Sequence, residues 1–273
     1  MKFKIVADSS CDLNNDYIQD ENVGFEIVPL SINIDQKCFI DNDNLNIDEM
    51  LLNIKNSKSA AKTSCPSPFF FTRSYEEADY VFVVTISSKL SGTYNSAYLG
   101  SIESNNKVHV IDSKGTSGMM ILIIDKLYDL IKSGLSFEKI IDEIEKYQKT
   151  LNLLFVLDKF DNLVKNGRMS KLTAIAATAL FIKPLCIAKD GQIAIHEKPK
   201  TMKASLIRLV NNIGSLCNDF SNKCYIAPCK NEENSKKIKQ MILEKYNFKD
   251  VVILEMKGLC SFYALENGII VSF

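Results

Sequence analysis

The chain has 273 residues, 46% of them hydrophobic and 24% charged, which suits one large or two ordinary folded domains and excludes a disordered chain. Lys and Arg together number 33, as do Asp and Glu, so the formal net charge is zero and nothing draws the whole molecule to nucleic acid or to an anionic membrane. No apolar run approaches the roughly 20 residues that span a bilayer, so no integral membrane segment is expected.

The first element is a short apolar strand, 4–7, that ends at Asp8-Ser9-Ser10-Cys11-Asp12. Its early acidic residue leaves no room for a signal-peptide apolar region, so a cytoplasmic protein is expected. Asp12 is suited to N-cap a helix near 13–20. Residues 25–34 read as a second strand, bent or at a sheet edge because of Pro29. The stretch 35–46 is polar and turn-rich, and apolar residues at helical spacing follow over 47–54. Pro66 and Pro68 hold the segment 61–68 extended, which presents Thr63 and Ser64 in fixed directions. Phe69, Phe70 and Phe71 then open a helix.

Residues 80–84 form an apolar strand that runs into Thr85-Ile86-Ser87-Ser88-Lys89-Leu90-Ser91-Gly92-Thr93. A strand that leaves a sheet through hydroxyls and one glycine, then enters a helix, offers hydroxyl donors and free backbone N–H groups together. That combination suits a phosphate or a carboxylate. A Ser-rich turn with an N-cap is the plain alternative. A further strand, 107–113, ends in Asp112-Ser113, and helices follow over 119–132 and 137–151. Such strand–helix alternation predicts a parallel sheet with helices on both faces, an α/β/α domain over residues 1–150. In such sheets ligands bind beyond the carboxyl ends of the strands, so the hydroxyl-bearing turns are expected to face one crevice.

After residue 150 the pattern changes. A strand at 153–157 leads to a short helix at 160–165, the turn Asn166-Gly167-Arg168-Met169-Ser170 and an apolar helix over 172–181. Residues 182–188 and 192–197 flank Asp190-Gly191 as a hairpin. Helices over 201–219 and 232–246 alternate with strands over 223–229, 250–256 and 268–273. This reads as a smaller mixed-sheet α/β domain, 151–273. No Gly/Pro/Ser-rich linker precedes it, so the two domains are expected to pack firmly.

The eight cysteines contain no CxxC pair and read as reduced structural thiols, and the two histidines, His109 and His196, sit in strands. No phosphate-binding glycine loop and no GxSxG elbow is present. Asp8 and Asp112 fit helix caps better than metal ligands, so neither a metal site nor a catalytic residue is assigned. What recurs at strand ends is hydroxyl plus backbone N–H: Asp8-Ser9-Ser10, Thr63-Ser64, Ser87-Ser88 with Ser91-Gly92-Thr93, and Asp112-Ser113. These groups make a neutral receptor for a small anionic head and supply no base. If the crevice behind them is apolar, it selects an amphiphile with an anionic head and a long tail. Segments 119–132 and 172–182 are apolar enough to wall it, and equally read as ordinary core. A stand-alone serine hydrolase or transferase acting through Ser91 or Ser88 is the alternative; it needs a base, and neither histidine has a matching context.

In this order the motifs resemble those of the DegV family of bacterial fatty-acid-binding proteins, which includes the fatty acid kinase B subunits. The matching residues are Ala7-Asp8-Ser9-Ser10-Cys11-Asp12-Leu13, Thr63-Ser64-Cys65-Pro66-Ser67-Pro68, the run from Ser87 to Ala97, and Ile111-Asp112-Ser113. Gly167-Arg168-Met169-Ser170 follows, then Ile182-Lys183-Pro184 with Asp190-Gly191, so the matches span roughly the first 190 residues. The resemblance implies a parallel α/β domain followed by a smaller mixed-sheet domain, with one long-chain fatty acid buried between them and no other cofactor. It implies that Thr63 and Ser91 hold the carboxylate, with Ser64 and the Gly92 amide nearby. It also implies that a separate ATP-dependent kinase subunit phosphorylates the bound acid, and that Arg168 faces the phosphoryl group or that partner. The protein itself is then a lipid carrier and not an enzyme. The C-terminal region departs from the pattern. Where family members usually carry a His-x-Gly-Pro-Gly-like segment, this chain has Gly258-Leu259-Cys260-Ser261-Phe262-Tyr263-Ala264. The histidine is missing, and Tyr263 or Ser261 lies near its place; a tyrosine hydroxyl replaces the hydrogen bond but carries no positive charge. The architecture also resembles the substrate-binding part of dihydroxyacetone kinases, which hold their substrate through a histidine. No histidine here sits at a strand-end loop of the first domain.

Overall fold

The computed structural model describes residues 2–169 and 182–273. In the first half, β1 (Phe3–Asp8), β2 (Val23–Val28), β3 (Ser31–Ile34), β4 (Lys37–Ile40), β5 (Lys62–Ser64), β6 (Tyr80–Thr85) and β7 (Lys107–Asp112) build two sheets. Strands β2, β1, β6 and β7 lie side by side and are all parallel. Strands β4, β3 and β5 form a small antiparallel sheet. The parallel sheet follows from continuous apolar runs: Ile5 to Ala7 and Val81 to Val84 are fully buried, as strands covered on both faces are. Alternation assigns the faces. Val6, Val81 and Val83 pack with Phe71 and Ala97 from the helices Pro68–Ser74 and Thr93–Ile102. Ile5, Ala7, Phe82 and Val84 belong to the larger core that includes Met120 and Ile124 of the helix Gly118–Lys132.

The second half contributes β8 (Leu153–Val156), β9 (Leu185–Lys189), β10 (Gln192–Glu197), β11 (Lys223–Pro228), β12 (Asp250–Ile253) and β13 (Ile269–Ser272). They form one mixed sheet in the order β10-β9-β8-β13-β11-β12, in which β11 and β12 pair in parallel. Leu153, Phe155 and Ile270 face the first half's core, whereas Leu154, Val156, Ile269 and Val271 pack with the helices Met202–Leu216 and Glu232–Lys245. The helix Gly118–Lys132 is apolar nearly all round because it lies between the two sheets. A Cβ at Gly118 would stand 2.5 Å from the Cβ of Tyr225 and 3.0 Å from that of Ser272, so the helix start touches β11 and β13 with room for glycine alone.

Local expectations change in three places. Residues 25–34 are two strands in different sheets, because Pro29 has no N–H with which to continue the ladder. Asp12 starts no helix; it adopts a left-handed φ of 59° and closes the single turn Ser9–Cys11. The polar stretch 35–46 contains β4, whose largely exposed residues are ordered by pairing with β3 and not by an apolar pattern. The helix expected over 172–181 falls outside the described residues. Among the described residues, no helix is long and apolar enough to cross a membrane.

Candidate functional site

The carboxyl ends of β1 and β6 lead into turns at 9–12 and 86–92, and a buried carboxylate joins them. Asp8 accepts the Ile86 N–H at 2.7 Å, the Ser10 N–H at 3.0 Å and the Ser10 hydroxyl. Burial pushes its pKa up to about 6 against the pull of these donors. The Ser10 carbonyl accepts the Ser117 N–H at 2.7 Å and the Thr116 hydroxyl at 3.0 Å. The Ser87 N–H reaches the Gly115 carbonyl at 2.9 Å, and its hydroxyl donates to the Gly191 carbonyl at 2.7 Å. Ser88 is exposed and bonds Asp112 through both its N–H and its hydroxyl. The expectation that all the hydroxyl turns face one crevice is thereby corrected. Ser9, Ser10, Ser87 and Ser113 are buried, buried hydroxyls need partners, and adjoining turns supply them.

Two of the predicted turns do reach a cavity. Thr63 lies opposite Ile32 in the β5–β3 ladder and shares its inward face, which turns Lys62 and Ser64 outward. The Thr63 Oγ1 is 2.8 Å from the Tyr263 hydroxyl, carried by the helix Gly258–Ala264. Ser91 donates its N–H to the Ser87 carbonyl at 3.1 Å. Its Oγ accepts the Thr93 N–H at 3.3 Å and lies 2.8 Å from the Thr93 hydroxyl, at the start of the helix Thr93–Ile102. Arg168 follows Gly167, whose φ of 74° makes the left-handed turn after the helix Asp161–Lys165. Its Nε donates to the Leu90 carbonyl at 3.0 Å and its Nη1 to the Asn166 carbonyl at 2.5 Å. Asn166 donates in turn to the Ala61 carbonyl at 3.0 Å. The guanidinium is thus tied to the residue before Ser91 and, through Asn166, to the approach to Thr63.

Thr63, Ser91, Arg168 and Tyr263 line one cavity, whose other walls are mainly apolar: Leu30, Ile86 and Leu90 from the first half, Leu153, Phe155 and Ile270 from the second. About 810 Å³ of space lies between its atoms, mouth included, and little of it is wider than a water molecule, so the cavity is narrow. Burial raises the Tyr263 pKa while Thr63 and Arg168 pull it down, and the net shift keeps the hydroxyl protonated. Ser64 and Gly92 stand outside this cavity. Ser64 is exposed on the far face of β5, where it accepts from Asn33 at 3.4 Å, and Gly92 is exposed beside the Cys65 thiol. The apolar helix Gly118–Lys132 is core between the sheets and supplies none of the described lining. Sequence reasoning missed Lys114, Thr116 and Cys260, which also line the cavity. Thr116 and Cys260 both donate to the Ser10 carbonyl, at 3.0 and 3.4 Å, and no local pattern marks them.

Among its described residues the site holds donors and neither a histidine nor a carboxylate. His109 lies in β7 with its ring edge-on to Phe82, and burial lowers its pKa. His196 is exposed and bonds Asn212 at 2.8 Å. Neither lines the cavity, so no imidazole is placed to activate Ser91 or Ser88. The oxygens of Asp8 and Asp112 are taken by amides and hydroxyls of neighbouring turns. Three hydroxyls and a guanidinium in a narrow apolar cavity are suited to hold an anion with an apolar body.

Fold and site together define a three-sheet α/β protein that encloses a narrow, mainly apolar cavity between its parallel and mixed sheets. The chain belongs to the DegV family, whose model, described as that of an uncharacterised protein of the DegV family, matches residues 2–272. The family read from the ordered motifs therefore extends beyond them to the C-terminal strands. A DegV domain-containing protein of Streptococcus pneumoniae is 37% identical over 279 residues, spanning 100% of this chain and 99% of its own length. Among solved structures, the Streptococcus pneumoniae fatty acid kinase (Fak) B3 protein loaded with linoleic acid matches with a TM-score of 0.95 at 36% identity, over 100% of this chain and 99% of that one. A DegV family protein from Ruminococcus gnavus with vaccenic acid matches with a TM-score of 0.91 at 34% identity, over 99% of each chain. The expected order, parallel sheet first and mixed sheet second, is the architecture these proteins share with this chain.

Proposed function

We propose that this protein binds one long-chain fatty acid in the cavity between its sheets and presents the carboxylate to a separate ATP-dependent kinase subunit, as a lipid carrier. The observation that carries this reading is the presence of Thr63, Ser91, Tyr263 and Arg168 in one mainly apolar cavity. A carboxylate leaving water needs donors, and the three hydroxyls provide them while Leu153, Phe155 and Ile270 receive the chain. Two of the guanidinium's N–H groups are engaged by carbonyls, and the fork that remains suits a phosphoryl group or a carboxylate of the partner. Relatives loaded with linoleic and vaccenic acid support the ligand class, and the name fatty acid kinase B3 supports the partner. The eight free cysteines suit a reducing compartment, and we place the protein in the cytoplasm, where the kinase's ATP is found.

Native mass spectrometry tests the ligand. The protein purified from bacteria should carry a fatty acid, and the stripped protein should take one up on titration; a protein that does neither overturns the reading. Incubation of the loaded protein with ATP and the catalytic subunit of a fatty acid kinase tests the partner. The bound acid should become an acyl phosphate, and an unmodified acid overturns the carrier role.

A further inference from the structure

The helix Gly258–Ala264 brings Leu259, Cys260, Tyr263 and Ala264 to the cavity wall. Seven residues do not hold such a place by their own hydrogen bonds, and Lys257 at the N-cap supplies no side-chain cap. The anchor comes from the other half of the molecule. Asp41, the residue after β4, accepts the Gly258 N–H at 2.8 Å on one carboxylate oxygen and the Leu259 N–H at 2.9 Å on the other. A Cβ at Gly258 would stand 2.5 Å from Asp41 Oδ1, so the helix start is pressed directly onto the carboxylate. Asp12 takes the preceding amide, Lys257, at 2.8 Å and the Ser117 hydroxyl at 2.5 Å. Both carboxylates are buried, at 2% and 4% exposure.

The far end of the helix meets the same small sheet. Thr63 lies in β5, next to β3, and β3 pairs on its other side with β4, which leads to Asp41. The Asp41 N–H is fixed on the Leu30 carbonyl at 2.9 Å. One three-stranded sheet therefore grips one helix twice, through Asp41 at its start and through the 2.8 Å contact of Thr63 with Tyr263 near its end.

We propose that Asp41 is a positioning residue for the ligand site: its two-amide clamp sets the place of the helix Gly258–Ala264 and so aligns the Tyr263 hydroxyl with Thr63. The inference rests on the reading of Tyr263 as a carboxylate donor. An asparagine at 41 mimics the shape but presents an NH2 group to one of the two amides, so it cannot serve both.

The test is a double-mutant cycle read as fatty acid affinity, measured by displacement of a fluorescent fatty acid. Asp41→Asn should weaken binding about tenfold when Tyr263 is present and less than about twofold in a Tyr263→Phe background, because coupled positions give non-additive losses. Equal losses in both backgrounds overturn the positioning role. If Asp41→Asn does not fold, Asp41→Glu, which keeps the charge and displaces the oxygens, takes its place under the same criterion. Hydrogen exchange of the unliganded protein gives a second readout. Exchange at whichever of the Gly258 and Leu259 amides meets the NH2 group should quicken in the variant while that of β1 and β6 does not, and unchanged exchange at both amides overturns the clamp. A wild-type protein that takes up no fatty acid refutes the site reading instead, and the exchange measurement still judges the clamp by itself.

Discussion

Replacing Tyr263 by Phe removes one oxygen and leaves the ring. That ring packs edge-on to Phe262 with centroids 4.8 Å apart, so the cavity wall survives. What is lost is the hydroxyl 2.8 Å from Thr63 Oγ1. It is protonated throughout the neutral range, since burial holds its pKa above the ordinary tyrosine value. In the proposed complex it donates to the carboxylate, and a hydrogen bond to a charged group contributes about 1.5–3 kcal/mol. At about 1.4 kcal/mol per factor of ten, affinity for a long-chain acid should fall roughly 10- to 150-fold. The alcohol of the same chain length has no charge to lose, and a neutral hydrogen bond of about 1 kcal/mol gives roughly a fivefold loss. Titration calorimetry of wild type and Tyr263→Phe with both ligands supplies the deciding quantity, the ratio of acid to alcohol affinity. An unchanged ratio refutes the placement of the head group at Tyr263, even if both affinities drop, because equal losses report a damaged wall.

Ser91→Ala should weaken acid binding by a similar factor and also lower stability by about 1 kcal/mol, because Ser91 caps the Thr93 amide; full affinity in a calorimetric titration refutes its role. Burial raises Asp8 to about 6 and Asp12 to about 7 from the 3.8 that the unfolded chain keeps. Between about pH 4 and 7 the native protein therefore holds protons that the unfolded chain has lost, and stability falls as pH rises through that window, by at most about 1.4 kcal/mol per pH unit for each such proton. Urea unfolding of the unliganded protein at pH 5 and 7 checks the sign. Asp12→Asn, whose amide serves both Lys257 and Ser117, should flatten the slope, and equal slopes in the two proteins refute the assignment. Gly118→Ala should cost about 1–3 kcal/mol in urea unfolding by forcing a methyl group against Tyr225 and Ser272; a neutral result refutes the close contact of that helix with the mixed sheet.

The parallel sheet was legible because strands buried on both faces are continuous apolar runs, as in β6. The hairpin β9–β10 was legible because Asp190 and Gly191, with φ of 49° and 79°, take the left-handed turn that their side chains favour. Strand β4 carried no such signal, since its order comes from pairing with β3 and not from burial. At the site, Thr63, Ser91 and Arg168 were singled out by motif, but the same letters misled at residues 8–10. A serine that binds a ligand and a serine that bonds the next turn are identical in sequence, and only burial separates them. Asp41, and Asn162, whose side-chain amide donates to the Phe262 carbonyl at 2.7 Å, were invisible for a different reason. Their partners, Gly258 and Phe262, lie 217 and 100 residues away, and no local spacing encodes such a contact.

The missing C-terminal histidine left Tyr263 and Ser261 as alternatives, and helix geometry separates them. Ser261 is buried and donates to the Met256 carbonyl at 3.3 Å, while Tyr263 faces Thr63. A histidine at such a place changes its charge near pH 6.5. A tyrosine does not, and burial moves its ionisation still further above neutrality. The cationic side chains among the described cavity-lining residues are Arg168 and Lys114. In the proposed complex the head group is therefore met by a hydroxyl whose protonation is constant between pH 6 and 8, and Tyr263 should add no step to the acid-to-alcohol affinity ratio across that range. A step near pH 6.5 in the wild type that disappears in Tyr263→Phe contradicts this, because a neutral donor has nothing to titrate there.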